Sequence, residues 1–145
     1  MKIKLAITLG FIIWIFTYIL TSIFNPIFTD YLPHINISVP IIIILITTLF
    51  GIIYIRNIEE NEVIEGILVG IVFIAIDIIC DMIFFIIPNN QSLIVADYPL
   101  HVISMIIIIL TITTFLGYLA QMTIDLKWGK KLWLINHIQD MNHYF

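Results

Sequence analysis

Charge is what this chain has least of. Asp, Glu, Lys and Arg make up 11% of its residues, against about 25% in an ordinary soluble domain. With 61% hydrophobic residues and a mean hydropathy of +1.13, too little polar surface is left to clothe a water-soluble globule. Basic residues are the scarcer sign: six Lys and Arg stand against ten Asp and Glu, for a net charge of −4. That balance argues against a nucleic-acid partner, since no basic patch exists outside the C-terminal tail. The single cysteine, Cys80, excludes an intrachain disulfide, and its place in a hydrophobic run gives it a core-filling role. No Ser-His-Asp arrangement, glycine-rich phosphate loop or Cys-x-x-Cys pair occurs, so nothing in the motifs supports an enzyme.

What is abundant is long apolar sequence. A helix needs about 20 apolar residues to cross a bilayer core, and four segments qualify: 5–24, 39–55, 63–87 and 100–120. The first follows Lys2 and Lys4 as a signal peptide would. Its apolar stretch is longer than a signal core and lacks a small-residue cleavage site, so it reads as a retained helix. The basic residues then set orientation. Lys2 and Lys4 precede the first span, Arg56 follows the second, and Lys127, Lys130 and Lys131 follow the fourth. In a four-span arrangement all of them fall on one side. By the positive-inside rule both termini face the cytoplasm of a cell membrane, with the lipid bilayer as the obligatory partner. The acids Glu59, Glu60, Glu62 and Glu65 share the inner loop, where Asn57-x-x-Glu60 has the form of a capping box for the third helix.

Residues 1–120 thus form a transmembrane domain, and 121–145 a tail of different character. In the tail Leu132, Ile135, Ile138 and Met141 recur at near-helical spacing among lysines, with Trp128 and Trp133 as anchors. That composition predicts an amphipathic helix in the cytoplasmic interface.

Two stretches repeat in order. Asp30-Tyr31-Leu32-Pro33-His34-Ile35 resembles Asp97-Tyr98-Pro99-Leu100-His101-Val102 at an offset of 67. Thr47-Thr48-Leu49-Phe50-Gly51 resembles Thr113-Thr114-Phe115-Leu116-Gly117 at an offset of 66, and Pro26 and Pro88 close the first and third spans. The expectation is an all-α four-helix membrane bundle of two tandem two-helix repeats, related by a pseudo-twofold axis along the membrane normal.

Asp77 and Asp81 break the third apolar run. A central Asp costs about 2.5–3.5 kcal/mol on insertion scales, while each Ile, Leu, Val or Phe gains about 0.3–0.6. The span can still insert, but the acids should face helices or water rather than lipid. Four residues apart, they share one face. By the repeat they align with Ile15 and Ile19, so symmetric packing does not require them. Depth counting places Asp77 near mid-membrane and Asp81 about one turn further out. Tyr18 and Thr17 on the first span, and His101, Ser104 and Thr111 on the fourth, are the nominated neighbours. Gly10, Gly51, Gly66, Gly70 and Gly117 all fall in the cytoplasmic halves of their spans, and Gly66-x-x-x-Gly70 is a small-residue contact motif. Close packing inside and a polar cavity outside follow.

The duplicated stretches offer Asp30, His34, Asp97 and His101 as metal ligands. A simpler account is favoured: the aspartates cap helices, the tyrosines anchor at the interface, and proline sits in a first turn. No cofactor is expected; His34 and His101 lie at helix ends, where haem ligation is not built. Thr47, Thr48, Thr113 and Thr114 read as interhelical or backbone-bonded hydroxyls.

The pattern Glu65-Gly66-x-x-x-Gly70 with Phe73, Asp77 and Asp81, then Asp97-Tyr98, resembles a family of small uncharacterised four-span membrane proteins of bacteria and archaea. Their pattern carries Trp where this chain has Phe73, Asn where it has Asp77, and a Glu-Tyr pair before the last span. The resemblance covers about a third of the chain and implies no activity. It implies that Asp81 is the typical acid and Asp77 the individual one. The leading expectation is a proton- or small-solute-handling membrane protein using an outward-open site of Asp77, Asp81, His101, Ser104 and Tyr18. The alternative is a non-catalytic accessory or structural subunit, in which the acids lock helices together or meet a second copy or another membrane protein.

Overall fold

The computed structural model describes residues 2–31, 38–58, 61–88 and 93–142, with the backbone alone described for 25–31, 93–97 and 124–142. Four helices carry the chain: α1 (Ile3–Tyr31), α2 (Ser38–Ile55), α3 (Glu62–Asp81), continued by a π-helical turn (Met82–Ile86), and α4 (Leu93–Asn142). Among the described residues there is no strand. Each helix contains a stretch long and apolar enough to cross a membrane: Ile3–Phe24, Ser38–Ile55, Glu62–Ile86 and Tyr98–Thr123.

The helices are apolar almost all round. Large hydrophobic side chains such as Phe11, Leu45, Ile64, Ile71, Ile107 and Phe115 point outward. A water-soluble bundle would carry polar residues there; an apolar surface on every helix is what a lipid environment stabilises. The chain is therefore a multi-pass membrane protein.

Inside, the buried positions follow helical periodicity. On α1 they are Ala6, Leu9 and Ile13, and on α4 Met105, Ile109, Thr113 and Gly117. On α3 the stripe runs Glu62, Gly66, Val69, Phe73, Asp77, Cys80. Asp77 is thus buried by register: it occupies a core position of a helix whose neighbouring core positions are apolar. His101 continues the α4 stripe one turn before Met105.

Around the bundle the neighbours run α1, α2, α4, α3 and back to α1, with α2 and α3 meeting only slightly across a diagonal. A twofold axis along the membrane normal would set α1 opposite α3 and α2 opposite α4. Both pairs are instead side by side, so the expected pseudo-twofold is not the symmetry of this bundle. Close contacts explain the adjacency. A Cβ at Gly10 would lie 2.6 Å from the Ile76 Cδ1, which locks α1 to α3. Gly66 and Gly117 let α3 and α4 approach backbone to backbone, against the Thr113 and Glu62 carbonyls respectively, and Gly70 receives the Thr113 hydroxyl group. The glycine motif on α3 is therefore a contact with α4.

Three local expectations are corrected. Asn57 does not cap α3; it lies just past α2, and its side-chain amide donates to the Ile53 carbonyl at 2.7 Å. The residue preceding α3 is Asn61, in the left-handed conformation at φ 55°, which asparagine tolerates better than most residues. Pro26 does not close α1, which runs on to Tyr31, and Asp97 and Pro99 lie inside α4 rather than at its start. Within a membrane helix the hydrogen bond lost to proline can be compensated locally. The change of composition after Ala120 brings no break in the backbone, since α4 stays helical to Asn142; the tail side chains from 124 onward lie outside those described.

Candidate functional site

The polar residues gather at the end of the bundle remote from the N-terminus, where α1 and α3 finish and α2 and α4 begin. At ~1.5 Å per residue, Asp77 lies ~4 Å and Asp81 ~10 Å beyond the middle of the α3 span. His101 comes from the start of the α4 span, which runs antiparallel to α3. The three side chains meet: one ligand-type atom from each of Asp77, Asp81 and His101 lies within 4.8 Å of the other two. His101 Nε2 is 3.9 Å from Asp81 Oδ2. The other Asp81 oxygen, Oδ1, accepts a hydrogen bond from the Trp14 indole Nε1 at 2.9 Å. Burial grades across the cluster, with 37% of the His101 side chain and 14% of Asp81 exposed, and 9% of Asp77. Asp77 forms no hydrogen bond or ion pair among the described residues.

Trp14 is the residue that sequence reasoning missed. A buried indole needs an acceptor for its N–H, and Trp14 is the one tryptophan within a span rather than in the tail. The ring is held by Phe84 and Phe85, with centroids 5.1 and 6.2 Å away, and stacks on Tyr18 at 6.1 Å. Both phenylalanines sit in the π-helical turn that begins directly after Asp81, closed by the Ile87 N–H donating to the Met82 carbonyl at 3.0 Å. Such turns occur frequently at functional sites. Here it delivers two aromatic rings to the indole that orients Asp81.

Two cavities open beside the cluster. One, of about 290 Å³, is lined by Thr17, Tyr18, Thr21, Asp81, Tyr98 and His101, with Val39 and Phe85. The other, of about 280 Å³ between α2 and α4, is lined by Val39, Pro40, Ile43, His101 and Ser104 among others. His101 borders both. The Thr21 and Tyr98 hydroxyl oxygens are buried without a hydrogen-bond partner among the described residues. Tyr18 walls the first cavity, its ring 5.3 Å from Phe85, and bonds neither aspartate among the described residues. Ser104 faces the second cavity. Thr111 is not near the acids; it lines a groove with Val63, Leu110 and Tyr118 towards the opposite end. Of the suggested metal set Asp30, His34, Asp97 and His101, only His101 lies among the described side chains, and it sits with Asp77 and Asp81. Cys80 is buried, 2% exposed, as expected of core filling. Thr48 and Thr113 donate to the carbonyls of Ile44 and Ile109, at 2.6 and 2.9 Å.

The opposite end holds a second polar contact that the sequence did not reveal. Glu62 and Glu65, expected at a helix start, do occupy the first turn of α3 and are buried there, 2% and 8% exposed. Glu65 accepts a hydrogen bond from the Tyr54 hydroxyl at 2.8 Å, tying α2 to α3 across the diagonal.

No family model, curated protein or solved structure matches the chain.

Proposed function

We propose that the protein handles protons or a small solute through the polar site of Asp77, Asp81 and His101, entered from the outer face of a cell membrane. One observation carries this reading: two carboxylates of α3 and an imidazole of α4 converge beside a cavity of about 290 Å³. Ionisable groups at this depth are expensive and mark pathways or relays. Asp81 and His101 border the cavity, and Asp77 lies deeper, so a cation entering there meets them in that order. Ser104 and Tyr18 line the approach. The outward assignment rests on the charge pattern, with Lys2, Lys4 and Arg56 at the cytoplasmic end. Asp81 would be the acid shared with the four-span family that the chain resembles.

The test is flux in proteoliposomes loaded with a pH indicator or a labelled small cation. Asp81→Asn should abolish flux while helicity and monodispersity stay unchanged. Unchanged flux in that variant would refute the reading.

The accessory reading also has an observation in its favour, because Asp81 is partnered internally by Trp14 and His101 as a helix lock would be. Under it, Asp81→Asn lowers stability in detergent or breaks an assembly with a second copy or another membrane protein.

A further inference from the structure

We infer that Asp77, Asp81 and His101 bind one divalent transition-metal ion of the zinc type, with Trp14 as the positioning donor and the neighbouring cavity providing the open coordination position. The inference rests on reading the cluster as a cation site, and it names the cation.

Ligand chemistry selects the class. Two carboxylate oxygens and one imidazole nitrogen suit zinc and related ions, whereas magnesium and calcium prefer oxygen alone. Three protein ligands and one open position are the pattern of sites that exchange a ligand. The geometry is close to what is needed. Zinc bonds of about 2.0–2.2 Å bring tetrahedral ligand atoms to roughly 3.3 Å from one another. The three atoms here lie within 4.8 Å, and the His101–Asp81 pair is at 3.9 Å. The widest separation must close by about 1.5 Å, which is the scale of a side-chain rotation.

Charge selects the valence. With both aspartates deprotonated, as metal ligation requires, the cluster carries two negative charges. A divalent ion with a neutral imidazole leaves the cluster uncharged, whereas a proton or monovalent ion leaves one negative charge uncompensated. Asp77 supplies an independent sign. It is nine-tenths buried, has no partner among the described residues, and is turned into the cluster. Trp14 holds Asp81 by Oδ1 and so leaves Oδ2 towards His101. A hydrogen bond to the far side of a ligating carboxylate is how metal sites fix their ligands. On the open side, the Thr21 and Tyr98 hydroxyls, which have no hydrogen-bond partner among the described residues, line the cavity and can hold a water or exchanging ligand.

The experiment uses the full chain in nanodiscs, stripped with chelator and titrated with Co²⁺, whose visible bands report nitrogen and oxygen ligation. One Co²⁺ per chain is expected, displaced by Zn²⁺ but not by Mg²⁺ or Ca²⁺. His101→Gln and Asp77→Asn should each lose the bands with far-UV circular dichroism unchanged. Trp14→Phe should keep the stoichiometry and weaken binding about 10–100-fold. If Asp77→Asn fails to fold, the partly exposed His101 carries the test. The paired variant His137→Ala with His143→Ala should bind as the parent does. Binding that survives His101→Gln, or that vanishes in the tail variant, overturns the site, as does absence of binding. Binding without any flux keeps the metal site and removes the transport reading; proton flux without metal binding does the reverse.

Discussion

The Trp14–Asp81 hydrogen bond sets how firmly α1 and α3 are coupled at the polar end, and a double-mutant cycle can measure it. Trp14→Phe removes the indole donor but keeps an aromatic ring against Phe84 and Phe85. A hydrogen bond to a charged group contributes about 1.5–3 kcal/mol in soluble proteins, while polar pairs in membrane bundles average about 0.6 and reach about 1.7 kcal/mol. The 2.9 Å distance and the low exposure of Asp81 place this pair towards the upper membrane value. The expected coupling is about 1–2 kcal/mol when Trp14→Phe is combined with Asp81→Leu, which removes the acceptor. Asp81→Asn retains an acceptor oxygen without the charge, so its coupling to Trp14→Phe should be smaller. The assay is equilibrium unfolding in mixed micelles of increasing SDS content, followed by circular dichroism, since changing Trp14 alters the fluorescence. A coupling below about 0.3 kcal/mol, the usual limit of additivity for independent sites, would refute the claim that Trp14 positions Asp81.

Two further outcomes follow from the opposite end. Gly117→Ala should destabilise by about 1–3 kcal/mol because the new methyl meets the Glu62 carbonyl, whereas Gly51→Ala should cost less because it meets only the Leu116 Cδ1, 2.7 Å away on a flexible side chain; equal losses in SDS unfolding would contradict the packing. Tyr54→Phe should cost about 1–2 kcal/mol by loss of the bond to Glu65, and a variant as stable as the parent would show that the α2–α3 tie contributes nothing.

Fold class and span positions were legible because the bilayer imposes a length and a composition that any apolar run must meet. The four spans match the expected segments to within a few residues at each end. The boundaries that differ involve Pro26, Pro99 and Asn57: α1 and α4 run through their prolines, which membrane helices tolerate, and Asn57 bonds back to Ile53 instead of capping α3. The duplication pointed to a symmetry that the packing does not have. Glycines tell which helices approach closely but not which helix each meets; Gly66 and Gly70 face α4, while Gly10 faces α3.

For the candidate site, the sequence by itself determined that Asp77 and Asp81 share one helical face, that Asp77 lies near mid-span with Asp81 about one turn beyond it, and that His101 lies towards that same end. Helical periodicity and a fixed rise per residue are enough for that. Only the tertiary structure decided that Asp77 takes a core position against α4, that His101 rather than Thr111 joins the pair, and that Trp14 is the donor to Asp81. Those outcomes depend on how α1, α3 and α4 are rotated about their own axes. In helices that are apolar on every side, hydrophobic pattern sets rotation weakly. It is settled by glycine contacts and by the few polar groups that must find one another.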